Sequence, residues 1–265
     1  MGVSDPALAA TLHEVRRSLA LSFRQLLDLP LALLLLTLNG LARSRSKVGA
    51  GPFFDPERFD WIPAVEAHSA AIRRELEQLL QARDHIPTFQ EVSPPQRALT
   101  QDDKWKTYFL IVYGHEVEAN CAQCPRTFAA LRHIPGLKTA MFSILAPHKR
   151  IPPHRGPFGG LLRYHLGLVI PERRDQLGIR VGDETRSWQA GKSLVFDDSW
   201  EHEAWNDSDQ ERVVLFVDFV RPLDFPIDRL CAASLRWLEQ SQFVKEALER
   251  IQGWNERFPS ARRTS

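Results

Sequence analysis

Five side chains in the second half of the sequence are of types that bind metals or anions: His154, Arg163, His165, His202 and Arg212. Three of them lie in the run 152–168, Pro-Pro-His-Arg-Gly-Pro-Phe-Gly-Gly-Leu-Leu-Arg-Tyr-His-Leu-Gly-Leu. His154 follows two prolines and precedes a Gly-Pro turn, which holds its imidazole at a rigid strand end. Arg163 and His165 alternate with Leu162, Tyr164 and Leu166, so at strand period they share one face. A cation and two imidazoles on one sheet surface are costly to assemble for packing alone, and such a face suits an anion or a metal. His202, in Phe-Asp-Asp-Ser-Trp-Glu-His, and Arg212 supply the rest. Two histidines and a carboxylate form the facial triad of non-haem iron oxygenases. Its expected pattern on a jelly roll is His-x-Asp/Glu on one strand and a distal His later. Here position 156 is Gly, which leaves His154 and His202 as a pair. Taken alone, such a pair also fits buried, hydrogen-bonded structural histidines.

The remainder of the chain must position these groups. Its 265 residues allow one large domain or two small ones. A hydrophobic share of 43% and a charged share of 25% are those of an ordinary globular protein. The net charge of +1 argues against a nucleic-acid binder. Three cysteines make no disulfide framework and point to a reducing, cytoplasmic compartment. Cys121 and Cys124 form a C-x-x-C that is followed by Pro125 and lacks a second pair, so a plain loop is preferred to a zinc ribbon or a redox pair.

Apolar periodicity predicts a helix over 6–46, and within it 29–42 is almost continuously apolar with a basic flank of Arg24, Arg43, Arg45 and Lys47. The run is short of the about 20 residues a spanning helix needs, and it lacks the cleavage site of a signal peptide. Two readings stay open: a helix packed on the body, or an in-plane anchor peripheral to the inner face of the membrane, with its basic residues on lipid headgroups. Pro6 stands where myristoylation needs Ser or Thr. The Gly/Pro/Ser-rich loop 46–58 separates a helical arm, 1–50, from a domain over 51–265 whose core is 105–222. A second helix is expected over 63–84 and a short one over 125–132. Short apolar runs at 108–113, 140–146, 161–169, 179–181, 194–196 and 213–220, parted by turns, predict a mainly β sandwich or jelly roll with flanking helices. Gly182-Asp183-Glu184 reads as a hairpin turn. Two short helices within 227–252 are expected to cap the sheet.

Longer words now join these residues. They are Pro-His-x-Gly-Pro around His154, Leu-Arg-x-His-Leu-Gly-Leu-Val-Ile-Pro ending at Pro171, and Phe-Asp-Asp-Ser-Trp-Glu-His-Glu-x-Trp around His202. Glu184-Thr-Arg-x-Trp188, followed by Gly191-Lys192, accompanies them. Over 105–222 the chain resembles the aspartyl/asparaginyl β-hydroxylase family of iron(II)- and 2-oxoglutarate-dependent dioxygenases. The resemblance implies a double-stranded β-helix, the cupin-like form of the jelly roll. It also implies Fe(II), 2-oxoglutarate and O2 as cofactor and cosubstrates. His154 and His202 match the family's two iron ligands, and the family also has Gly at the place of Gly156. Water is then implied as the third ligand, with Asp198 placed to orient it; as a plain sequence feature, Asp198 also reads as a turn residue. Arg212 and Ser143 match the groups that hold the far carboxylate of 2-oxoglutarate. His165 matches a residue near the metal-bound end of the cosubstrate, and Arg163 one near cosubstrate and substrate. Trp200 and Trp205 would line the pocket or serve as core aromatics.

Substrate is read from departures. Animal members carry Arg-x-Arg before the strand's His, and here the first of these is Leu161. The family also has bacterial members that hydroxylate acyl chains of lipid A or ornithine lipids, and the apolar run 29–42 fits that branch. Some lipid-acting relatives, however, have Asp at the place of Gly156. A membrane-lipid acyl chain is the preferred substrate, with β-hydroxylation of Asp or Asn in a peptide or amino acid as the alternative. Of other classes, a non-catalytic jelly-roll ligand-binding module and a zinc hydrolase on the same fold compete. The latter has no need of Arg212 and Ser143.

Overall fold

The computed structural model describes residues 38–258 of the chain. Among these, the strands form two antiparallel sheets packed face to face. The larger sheet is ordered β1-β9-β6-β11-β4-β2-β3. In chain sequence its strands are β1 (Phe53–Phe54), β2 (Trp105–Val112), β3 (His115–Glu116), β4 (Leu137–Leu145), β6 (Leu161–Val169), β9 (Ser193–Phe196) and β11 (Arg212–Val220). The smaller sheet, β5-β10-β7-β8, comprises β5 (Lys149–His154), β7 (Leu177–Val181), β8 (Glu184–Arg186) and β10 (His202–Asn206). The molecule is a jelly roll, mainly β with flanking helices.

Strand β11 shows why the sheets stack. It pairs on one side with β4 and on the other with β6, so both its edges are hydrogen-bonded. Val213, Leu215, Val217 and Phe219 point to a core shared with helices α2 (Ser69–Leu80), α4 (Glu118–Gln123) and α5 (Pro125–Leu131). Val214 and Phe216 point the other way, to the core between the sheets, where Ile151, Ile179, Val181 and Ala204 meet them. Arg212 and Asp218 share this inward face by alternation. Position 165 takes the same side, because His165 is the Cα partner of Phe216.

Helix α6 (Ile227–Glu239) and helix α7 (Gln242–Arg257) are the two C-terminal helices expected from apolar spacing. Helix α7 sends Val244, Ala247 and Ile251 into the inter-sheet core. Helix α6 packs Cys231, Leu235 and Leu238 against Leu38 and Ala42 of a helical segment, 38–44. The C-terminal end of the apolar run is therefore buried on the body; the part of the run over 29–37 lies outside the described residues. Among those described, no helix is long and apolar enough to cross a membrane.

Three local expectations need correction. The helix predicted over 63–84 is two, α1 (Ile62–Glu66) and α2. His68 Nδ1 donates to the Ala64 carbonyl at 2.8 Å, taking the acceptor that the continuing ladder would use. The C-x-x-C is helical, with Cys121 in α4 and Cys124 joining α4 to α5. Both thiols are free and buried, and burial pushes that of Cys121 up to about 11, far from a reactive thiolate. Strands β5 and β10, which carry the two histidines, escape hydrophobic pattern because they are polar and, in β5, proline-containing. The turn at Gly182 is a two-residue hairpin, with Val181 opposite Glu184 and φ of +57° at the glycine.

Behind the larger sheet, buried Glu75 of α2 caps α5. Its carboxylate accepts from the backbone N–H of Arg126 and Thr127, both at 2.8 Å, and from the Thr127 hydroxyl at 2.7 Å. Replacing it leaves orphaned donors at a buried helix start. Glu75→Ala should lower unfolding free energy by about 3 kcal/mol in urea titration, whereas Glu77→Ala, on the exposed face, should change it by less than about 0.5 kcal/mol.

Candidate active site

The two candidate ligands face one another across a strand pair. His202 opens β10 and is the Cα partner of His154, the last residue of β5. A bulge between His202 and Ala204 lies directly beside this pair and re-aims the strand there. The imidazole centroids are 4.1 Å apart. Each ring is fixed in the same way, by a carbonyl two residues upstream. His154 Nδ1 lies 2.8 Å from the Pro152 oxygen, and His202 Nδ1 lies 3.0 Å from the Trp200 oxygen. A carbonyl can only accept, so both Nδ1 atoms carry the proton and both Nε2 atoms keep a lone pair. Burial holds both rings neutral, lowering His154 to about 4 and His202 well below its usual value. A neutral, oriented pair of Nε2 donors is what a metal ion requires.

Gly156, two residues past the end of β5, offers no carboxylate, and Asp198 takes up that space. A Cβ at Gly156 would come within 2.0 Å of an Asp198 carboxylate oxygen. The Gly156 N–H donates to the Asp198 carbonyl at 2.7 Å. The Asp198 carboxylate is paired with Arg163 at 2.8 Å, and Arg163 Nε also reaches Asp218 at 2.8 Å. Arg163 thus lies between two carboxylates, with its guanidinium 4.2 Å above the Phe216 ring. Burial raises the Asp198 carboxyl to about 7 against the opposing pull of Arg163. Among the described residues, no three His, Cys, Asp or Glu side chains gather as a ligand set.

Arg212 is different from every other buried arginine here. It is 2% exposed, with its guanidinium 4.5 Å over the Trp188 ring. Its polar contact is a long one, NH1 to the Ser143 carbonyl at 3.5 Å, and Nε has no partner. Among the described residues no carboxylate pairs with it. Burial alone pulls its pKa down to about 9. Next to it, His165 adopts the opposite tautomer from the histidine pair. Trp188 Nε1 donates to His165 Nδ1 at 3.1 Å, so Nε2 carries the proton, and that N–H is buried without an acceptor. Ser143, opposite Val214 on β4, accepts from Trp105 Nε1 at 3.1 Å and keeps its own proton to donate. Arg212, His165 and Ser143 are three donors without an anion between them.

The loops carrying the histidine pair are held by residues the sequence pattern did not single out. Asp197 is fully buried and pairs with Arg221, and also with Arg43 at 3.4 Å. Arg43 further donates to Ser199 Oγ at 2.8 Å and lies 4.8 Å over the Trp200 ring. From the same helical segment, Asn39 accepts from the Gly159 N–H at 2.7 Å. Of the two readings of the basic flank, Arg43 follows the packed one: it points into the protein rather than to lipid. Trp205 lies against Gly178, where a Cβ would meet its ring at 2.4 Å, and is a packing residue. Asp218 was findable, being a lone carboxylate within an otherwise apolar strand; Arg43 and Asn39 had no such signal.

The sequence profile of the aspartyl/asparaginyl beta-hydroxylase family matches residues 66–222. The chain belongs to this family. It is 46% identical over 213 residues, 80% of this chain and 76% of the relative, to the ornithine lipid ester-linked acyl 2-hydroxylase of Rhizobium tropici. It is 37% identical over 134 residues to the aspartyl/asparaginyl beta-hydroxylase of Mus musculus, a match covering 49% of this chain but only 18% of that protein. Aspartate beta-hydroxylase domain-containing protein 2 of Xenopus tropicalis is 32% identical over 185 residues, covering 64% of this chain and 47% of that one. The family is one of hydroxylases, and the chain is an enzyme of that kind.

Two expectations follow from this geometry. Gly156→Ala forces a methyl into the Asp198 carboxylate and should weaken binding of cobalt(II), a spectroscopic metal probe, by about tenfold or more in a titration. Buried neutral histidines also make stability depend on pH. The folded His154 pKa of about 4 lies below its ordinary 6.5, so between these values the unfolded chain binds more protons. The Tm of the metal-free protein should fall as pH drops through that window, and fall less in His154→Gln.

Proposed function

We propose that this enzyme is an iron(II)- and 2-oxoglutarate-dependent dioxygenase that hydroxylates an acyl chain of a membrane lipid of the ornithine-lipid type. The observation that carries the cosubstrate assignment is Arg212, a buried guanidinium with no counterion among the described residues, beside the unpartnered His165 Nε2 and the Ser143 hydroxyl, whose oxygen accepts from Trp105. An isolated buried charge is strongly unfavourable, and a dicarboxylate supplies the missing anion. The lipid assignment is supported by the relative of Rhizobium tropici, with which 80% of this chain aligns.

The residues present fit both groups. His154 and His202 would hold iron(II) through Nε2, and their Nδ1 protons keep the rings in that orientation. Water would be the third ligand and be held by Asp198, whose carboxylate lies over Gly156 and is paired with Arg163. Arg212 would bind the far carboxylate of 2-oxoglutarate bidentately, with the Ser143 hydroxyl donating to the same group. His165 would donate from Nε2 nearer the metal, a role its fixed tautomer allows. With O2, iron(II) and 2-oxoglutarate supply an oxidant that converts an unactivated C–H to C–OH, leaving succinate and carbon dioxide. The chain keeps water away from that chemistry with Phe196, Phe216 and Trp188, whose rings surround His165 at centroid distances of 5.0, 5.2 and 6.0 Å.

An aspartyl or asparaginyl side chain is the less favoured substrate. Arg163 is already engaged by Asp198 and Asp218, and Leu161 is buried against Phe158 and Leu223. We propose that the enzyme is cytoplasmic and works at the inner face of the membrane, in line with its three free cysteines and a lipid substrate.

Adding iron(II) and 2-oxoglutarate anaerobically to the metal-free protein should produce the visible charge-transfer band of the chelate, absent in His202→Ala. Arg212→Ala should raise the 2-oxoglutarate concentration needed for that band by roughly a hundredfold. Aerobic turnover with ornithine lipid in detergent micelles should add one oxygen to an acyl chain, read by mass spectrometry. Folded wild-type protein that binds iron but shows no band would overturn the cosubstrate assignment.

A further inference from the structure

Next to the histidine pair is a cavity of about 110 Å³ between the larger sheet, helix α7 and the short helix α3 (Phe89–Val92). The sheet contributes Phe109, Met141 and Phe216 to its wall, and the helices contribute Val92, Phe243 and Ala247. One end is polar, formed by Arg163 with its partner Asp218. Arg163 is also the link to the histidine pair, because its other carboxylate partner, Asp198, fills the space over Gly156. Pro157, three residues past His154, lines the cavity as well. The apolar space therefore opens beside the reactive centre and is not a remote void.

Its chemistry selects against charge. Arg163 is the cation of the lining, and Asp218 beside it already balances its charge, so an acidic ligand group entering here would find no unpaired cation in the lining. A zwitterionic headgroup would have to shed its water against Phe109, Phe216 and Met141, and beyond Arg163 and Asp218 would meet no charged group, the other polar lining being neutral: Ser93, Gln96 and Thr139. The volume suits a short run of methylenes, which loses nothing by leaving water.

Tyr113 adds an independent mark. With Gly114 it makes the two-residue turn between β2 and β3, in which Val112 pairs with His115. Both turn residues have positive φ, 45° and 86°. Such turns favour Asn, Asp or Gly at the first position and disfavour an aromatic side chain. The tyrosine held there lines the cavity, with its ring edge-on to Phe243 at 6.1 Å. An unfavourable backbone conformation at a cavity wall is a feature of functional sites.

We propose that this cavity is the acyl subsite: it takes a stretch of saturated hydrocarbon of the lipid substrate, passing over Phe216 toward the His154–His202 pair, with Tyr113 and Phe243 as the walls that set which chain lengths fit. The proposal rests on the lipid-hydroxylase reading above. It assigns substrate choice to residues outside the metal and cosubstrate sites.

The test uses the full-length enzyme with iron(II), 2-oxoglutarate and ornithine lipids in detergent micelles, one set lauroylated and one stearoylated. Ala247→Phe fills the cavity and Phe243→Ala enlarges it. The ratio of kcat/KM for stearoyl over lauroyl lipid should fall by roughly tenfold or more in Ala247→Phe and rise in Phe243→Ala, while the chelate band of both variants stays that of the wild type. Should one variant fail to fold, the other still reads the ratio in its own direction. Unchanged ratios in folded variants, with a wild type that hydroxylates these lipids, would overturn the subsite alone. A wild type that forms the band but oxidises neither lipid would overturn the lipid reading together with the subsite.

Discussion

Burying a guanidinium without its counterion is the constraint on which the centre of this protein turns. Arg212 sits at the start of the central strand β11, between sheets that exclude water, over the face of Trp188. The π face offers a partial partner and the Ser143 carbonyl another, yet neither balances a full charge. The cost is borne because the surroundings are otherwise well satisfied: Val214 and Phe216 on the same strand face pack the inter-sheet core. An anion that binds here gains the interaction the fold withholds from Arg212.

Protons are sorted around that charge by neighbours that leave no choice. Two backbone carbonyls take the Nδ1 protons of His154 and His202, whereas an indole N–H occupies Nδ1 of His165. Three imidazoles in one region therefore divide into two with a free Nε2 lone pair and one with an Nε2 proton to donate. Exchanging the partner of any one ring would change what it can bind, although its position stayed the same.

Much of the fold was legible in the amino-acid order. The run around Tyr164 alternates, the run around Leu215 is continuously apolar as a strand buried on both faces is, and the turn at Gly182 is a two-residue hairpin as its Gly-Asp pair suggests. What pattern missed lies in strands without an apolar stripe. β5 is Lys-Arg-Ile-Pro-Pro-His, and β10 has hydrophobic contact only through Ala204 and Trp205, so periodicity had nothing to count. The site residues were visible as types and words, but their pairing was not. Nothing local says that Arg163 would be shared by Asp198 and Asp218, or that Glu75 would cap a helix 50 positions away, as its bonds to Arg126 and Thr127 show. Nor does anything local say which of the two readings of the basic flank holds for Arg43, since its partner Asp197 comes from the far half of the chain.

The helical segment 38–44 grips both histidine loops, Asn39 at Gly159 and Arg43 at Ser199, across separations of 120 and 156 residues. Contacts so distant in sequence close late, because the chain entropy of so long a loop must be lost before they form. On the ribosome this segment emerges well ahead of the strands it will hold. The strands of the histidine pair can be paired into their sheet before segment 38–44 closes on the loops beside them. The centre is in this sense tied shut from far away along the chain, by an element that belongs to neither sheet.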